Sequence, residues 1–184
     1  YRNIVLAPAS AQDMYDFVDL GFELAFKYRN PAVILADGII GQMMEKVEMH
    51  PVKPRRTAEE ILQVAPWATT GKPSSRERNI ITSLSLDSDI QEKFNQKLKE
   101  KYDLIRRNEV RYSEFQTEDA EYLLVAFGCA SRICEAVVEE LRAEGIKAGL
   151  LRPITLFPFP ENEIASLAKR VKSKMSIELN LGQM

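Results

Sequence analysis

Residues 122–160, YLLVAFGCASRICEAVVEELRAEGIKAGLLRPITLFPFP, read as strand, loop, helix, turn, strand and loop. Residues 122–127 form a near-continuous apolar run, which suits a strand covered on both faces of a parallel sheet. Gly128 breaks the run, and Ser131 stands where an N-cap would accept the first free backbone N–H groups. Ile133, Val137 and Leu141 then recur every fourth residue, one stripe of a helix. Gly145 supplies the residue that turns left-handed after the last turn. Residues 148–151 make the second strand, which Pro153 ends. Strand, crossover helix and parallel strand define a right-handed βαβ unit.

The opening third repeats the plan. Residues 4–8 read as a short buried strand. Ser10 is placed to cap a helix, and Asp13 three residues on makes a variant capping box. Met14, Phe17, Val18, Gly21, Leu24, Ala25 and Tyr28 follow helical spacing until Asn30-Pro31 ends them. Residues 32–36 form the next strand, and Asp37-Gly38 turns at its carboxyl end, where α/β folds place ligands. Asp37, Gly38 and the residues 39–43 that follow are thus either a packed turn or a ligand contact.

From residue 45 to 85 the pattern fails. Pro51, Pro54, Pro66 and Pro73, with Arg55-Arg56 and Gly71-Lys72, predict an extended connection across a surface. Ser88 with Gln91 reads as a capping box. Behind it Ile90, Phe94, Leu98, Tyr102 and Ile105 stripe a helix of about five turns, to near Asn108. It is too polar all round to be core, so it is expected across the surface or against a partner chain. Glu118 and Glu121 precede the central strand. After the Pro-Phe-Pro loop, Ile164, Leu167, Ala168 and Val171 mark a last helix and residues 175–179 a last strand. ILADGIIGQM and SIELNLGQM share Gly-Gln-Met behind a strand, a faint echo that suggests similar loops on two sheets.

The totals exclude several classes. The 184 residues allow one large or two small domains, and the net charge of −2 gives no general pull toward nucleic acid or an anionic membrane. No apolar run approaches the roughly 20 residues of a membrane span. Cys129 and Cys134 make no disulfide framework, so a reducing cytoplasm is expected. These cysteines and His50 cannot by themselves hold a closed zinc site or an iron–sulfur cluster. No G-x-G-x-x-G or G-x-x-x-x-G-K-[ST] loop is present. Residues 1–50 are expected to expose apolar surface on the stripe from Met14 to Tyr28 or on strand edges. Both ends of the chain fall inside structural signals, which suggests a piece of a longer protein.

The segments APASAQDMYD, LADGIIGQM and LRPITLFPFP, in that order, resemble the alpha subunit of 2-oxoacid:ferredoxin oxidoreductases, with a connector most similar to the branched-chain 2-oxoisovalerate type. The resemblance implies an α/β protein: residues 1–50 end a thiamine-enzyme pyrimidine-type domain. Residues 51–118 form a connector with a long helix, and 119–184 a truncated transketolase C-terminal-like domain with a mainly parallel sheet. It implies thiamine diphosphate and Mg²⁺ in the full complex, and none bound to this piece. It implies a thiamine-binding beta subunit, iron–sulfur clusters on a partner subunit, ferredoxin, coenzyme A and a 2-oxoacid, in a cytoplasmic oligomer. The cofactor-contacting glutamate is expected upstream of Tyr1, so no catalytic or metal-ligating residue is expected here. Asp37, Gly38 and Gln42 could face the cofactor cleft or a partner. Ser131 and Arg152 could meet an anion such as a coenzyme A phosphate, or serve as a plain cap and a strand-end salt bridge. Two other readings stay open: a stand-alone interaction module, and a ferredoxin-independent transketolase- or dehydrogenase-type subunit.

Overall fold

The computed structural model describes residues 2–52, 54–68, 71, 74–75, 77, 80–82 and 84–184; Lys72 and Pro73 of the expected connector, and Tyr1, lie outside them. In the first unit β1 (Ile4–Leu6) is followed by α1 (Ala11–Tyr28) and β2 (Ala32–Ile34), and β1 and β2 pair in parallel with Ile4 opposite Ala32. Ser10 caps α1 as its position predicts, its hydroxyl accepting from the Asp13 amide at 3.0 Å. Phe17, Gly21, Leu24 and Tyr28 turn inward. Val18, Phe22 and Phe26 stay exposed on the opposite face. The expected apolar exposure therefore falls on the outer side of α1 and on β2 and its exit, where Val33 and then Leu35 are open to solvent.

The connector holds more order than its prolines suggest. A short helix, α2 (Ala58–Val64), starts with a full capping box between Thr57 and Glu60. Trp67 beyond it stacks on Phe26 with ring centres 5.6 Å apart, and the Arg29 guanidinium lies over the same indole at 5.1 Å. The long helix α3 spans Ser88–Asn108, five turns and more. Its cap is Asp87, which accepts from the amides of Asp89 and Ile90, so the expected Ser88 capping box is corrected by one residue. A carboxylate at that position is a stronger acceptor than the neighbouring hydroxyl and also complements the helix dipole.

The second unit builds a four-stranded sheet in the order β3-β5-β4-β7. Its strands are β3 (Tyr112–Phe115), β4 (Tyr122–Ala126), β5 (Ala148–Pro153) and β7 (Ser173–Ile177); β4 pairs in parallel with both β5 and β7, and β3 runs antiparallel on β5. The helix α4 (Gly128–Ala143) crosses from β4 to β5, and α5 (Glu161–Ala168) leads to β7. Period-two alternation sorts β4 between two cores. Ala126 and Leu124 meet Ala130, Cys134 and Val138 of α4. Leu123 and Val125 meet Leu151 and Leu167 on the other face. Gly149 is required in β5, because a Cβ there would stand 2.6 Å from the Gln116 carbonyl oxygen.

One short strand, unforeseen in the sequence, ties the units together. β6 (Thr155–Phe157) follows β5 directly yet pairs antiparallel with β1, giving the first sheet the order β2-β1-β6. Cysteine 129, expected in a loop, belongs to the first turn of α4, because the helix begins at Gly128 and not after it.

A cleft between the two units, and the family it belongs to

A cleft of about 400 Å³ opens where both units present the carboxyl ends of their strands. Leu35, Phe127, Leu156, Phe159, Leu179 and Met184 form most of its apolar wall. Asn180 and Gln183 add amides, and Asp37 and Glu178 add carboxyl groups. Of the two Gly-Gln-Met loops, the second lines the cleft from Glu178 to Met184, whereas the first contributes only Asp37. An acid stands four residues before the glycine in both, Asp37 before Gly41 and Glu178 before Gly182.

Both acids fasten backbone. Asp37 Oδ1 accepts from the amides of Ile39 and Ile40 at 3.0 and 2.9 Å. Its Oδ2 accepts from the Cys129 amide at 3.2 Å, across the gap between the units. That bond explains a feature of α4. Its N-cap is Phe127, which has no side chain able to cap, and the carboxylate arrives from another loop. Ser131 is therefore not the cap. It is fully buried in the first turn, and its hydroxyl donates to the Gly128 carbonyl at 2.7 Å. Glu178 accepts from the amides of Gln183 and Met184, closing the second loop.

Burial alone would raise the Asp37 pKa. Hydrogen bonds from Cys129 and the backbone outweigh it and hold the carboxyl below its ordinary range. The Cys129 thiol moves the other way, raised by burial and by the adjacent Asp37. It is protonated at neutral pH and is no nucleophile there.

Other cross-braces surround the cleft. Glu45 accepts from the Ala11 amide at 2.8 Å and pairs with Arg132 of α4, and the Ala11 amide, then Arg132, lowers its pKa. Arg152 at the end of β5 pairs with Asp13 of α1 and reaches the Ala7 carbonyl. One loop after β2 therefore supplies a carboxylate to the N-terminus of both α1 and α4. Gln12 exchanges two hydrogen bonds with the Glu48 backbone, and His50 Nε2 lies 2.9 Å from Asp16, so the loop continues along α1.

Of the residues singled out in the sequence, Asp37 lines the cleft, whereas Gly38 and Gln42 are exposed outside its lining. Ser131 and Arg152 also lie outside that lining. Each is engaged by protein groups, the arginine in the strand-end salt bridge. Sequence reasoning passed over Glu45, Arg132 and Glu178. Only the last had a local signal, through the repeated Gly-Gln-Met. Among the described residues no three His, Cys, Asp or Glu side chains gather as metal ligands.

Two α/β units, a mainly parallel sheet in the second and a cleft at their strand ends define a two-unit α/β protein. Residues 1–118 match the family model described as pyruvate flavodoxin/ferredoxin oxidoreductase, thiamine diphosphate-binding, and residues 120–184 match pyruvate:ferredoxin oxidoreductase core domain II. The chain belongs to the 2-oxoacid:ferredoxin oxidoreductase family that these models describe. It is 50% identical over 184 residues to the ketoisovalerate oxidoreductase subunit VorB of Methanothermobacter marburgensis, covering 100% of this chain and 51% of that protein. It is 33% identical over 207 residues to the 2-oxoglutarate synthase subunit KorA of Methanocaldococcus jannaschii, covering 100% of this chain and 54% of that protein. The chain thus spans about half the length of the curated relatives it matches. Its fold is also that of a 2-oxoglutarate:ferredoxin oxidoreductase from Magnetococcus marinus solved with 2-oxoglutarate, coenzyme A and succinyl-CoA bound. That match has a TM-score of 0.75 at 19% identity, over 97% of this chain and 35% of that one. No helix among the described residues is long and apolar enough to cross a membrane.

Proposed function

We propose that the chain is part of the alpha-type subunit of a thiamine diphosphate-dependent oxidoreductase. The enzyme converts a branched-chain 2-oxoacid and coenzyme A to an acyl-CoA and CO₂, with reduction of ferredoxin. The observation that carries this reading is the 50% identity to a ketoisovalerate oxidoreductase subunit along the whole chain. Residues 1–50 then close a pyrimidine-type domain, 51–118 connect, and 119–184 form the transketolase C-terminal-like domain. The boundary between the two family matches, at residues 118 and 120, supports the break at residue 119. A thiamine-binding beta subunit, an iron–sulfur subunit and ferredoxin are the partners, in a cytoplasmic oligomer.

In the complete enzyme thiamine diphosphate would supply a nucleophilic carbon and an electron sink for a 2-oxoacid. The cleft residues do not fit this group. Asp37 and Glu178 spend their oxygens on backbone N–H groups, which leaves neither free for an aminopyrimidine or for Mg²⁺. No reaction step is assigned to them. Asp37 ties the two units together, and Glu178 closes its own loop.

The test is ferredoxin reduction by the complete enzyme, supplied with thiamine diphosphate, Mg²⁺ and coenzyme A. The expected result is a kcat/KM for 2-oxoisovalerate at least tenfold above those for pyruvate and 2-oxoglutarate. Absence of coenzyme A-dependent reduction with all three acids overturns the reading. Activity without ferredoxin or another one-electron acceptor would favour the transketolase-like alternative.

A further inference from the structure

A second cavity, of about 530 Å³, lies beside the cleft. Leu156 and Phe159 line both spaces, so the segment 156–159 is a wall of each. With Val110, Phe157 and Pro158 these residues give the second cavity an apolar floor. The fold fixes that floor. Pro158 is fully buried, and Phe157 pairs through its backbone with Val5 of β1.

Two helix ends bring charge to the same space. The last turn of α3 contributes Arg106 and Arg107, and the first turn of α5 contributes Glu161 and Glu163. Each pair suits the dipole of its own helix end. That accounts for their places along the helices, and not for their meeting at one cavity without bonding to each other. Among the described residues none of the four makes an ion pair. The Arg106 guanidinium lies over the Phe157 ring at 5.8 Å, and Arg107 Nε donates to the Asp103 carbonyl at 3.3 Å. The carboxylate-binding edges of both arginines are thus unspent, and both glutamates keep open oxygens.

This charge pattern selects the occupant. Two guanidinium groups and two carboxylates balance, so a simple anion is repelled by the glutamates and a simple cation by the arginines. An uncharged apolar molecule leaves both pairs unmatched. A zwitterion with a small apolar body matches all three surfaces. We infer that the cavity binds a free α-amino acid with an apolar side chain. Its carboxylate lies on Arg106 and Arg107, its ammonium on Glu161 and Glu163, and its side chain on Phe157 and Phe159. A 2-oxoacid of the same carbon skeleton lacks the ammonium and leaves the glutamates unmatched. The inference does not depend on which reaction the complete enzyme carries out.

Calorimetric titration of the complete enzyme tests the site with L-leucine and its two halves: 3-methylbutylamine, which lacks the carboxylate, and 4-methylpentanoate, which lacks the ammonium. L-Leucine should bind at least tenfold more tightly than either half. Arg107→Gln and Glu163→Gln should each weaken L-leucine at least fivefold. Arg107→Gln should not weaken 3-methylbutylamine, and Glu163→Gln should not weaken 4-methylpentanoate, so the spared half-ligand reports that each variant is folded. No binding of L-leucine at about 10 mM, where even a millimolar site fills, overturns the inference. So does L-leucine binding no more tightly than its halves, or binding that both variants leave unchanged. Loss of both half-ligands in each variant overturns it as well, because the two pairs of charges then have no separate roles. Each of these outcomes is read without turnover and leaves the oxidoreductase reading to its own assay.

Discussion

Glu109 sits 2% exposed at the exit of α3, between Lys27, Tyr28 and Arg111. Lys27 Nζ donates to Oε1 at 2.6 Å and Arg111 Nη1 to Oε2 at 2.8 Å, and the Tyr28 hydroxyl donates to Oε1. Burial pushes the carboxyl pKa up. The three donors outweigh it and hold the pKa below its ordinary value of 4.5. A carboxyl whose pKa falls on folding adds stability above its unfolded value, and that stability is lost as pH drops through the folded value. Glu109→Gln should therefore cost about 2 kcal/mol at pH 7, since two cations lose their buried partner. The gap between wild type and variant should close as pH falls below 4.5. Thermal melts from pH 7 to pH 3 check this, and a gap that widens on acidification contradicts it.

At the scale of elements, the loop after β2 and the helix α4 fold around a shared group. Asp37→Ala should leave the Cys129 amide without its acceptor and free the Ile39–Ile40 turn, at about 1–2 kcal/mol. Amides in the first turn of α4 should then exchange faster than those of its last turn. Unchanged exchange at Cys129 would show that the cap comes from elsewhere. This pairing also shows what a sequence can and cannot reveal. The βαβ units were legible because apolar runs and helical stripes are local patterns, and Asp37 because it ends a strand. The cap on α4 was not, since its donor and acceptor are 92 residues apart. Strand β6 has three residues between prolines, too few for a periodicity, and its partner β1 is the distant start of the chain. The pairs Arg132–Glu45, Arg152–Asp13 and Lys27–Glu109 have no local signature either. Helix α2 does carry one, Thr57 with Glu60, hidden in a stretch dominated by proline.

Across the whole molecule, these long-range ties make one body of two units that look separable in sequence. β6 adds main-chain pairing, Asp37 and Glu45 cap helices, and Arg132 and Arg152 reach back into the first unit. The cleft between them is preformed to the extent that these bonds hold. Its apolar wall suits an aliphatic surface or group. Equilibrium unfolding in urea measures the claim directly. Trp67, the single tryptophan, reports the first unit by its fluorescence, and amide exchange at Leu123–Val125 in β4 reports the second. The two probes should share one midpoint and one free energy. Transitions separated by more than the error of the midpoints would mean that the units unfold independently, and that the braces between them do not hold.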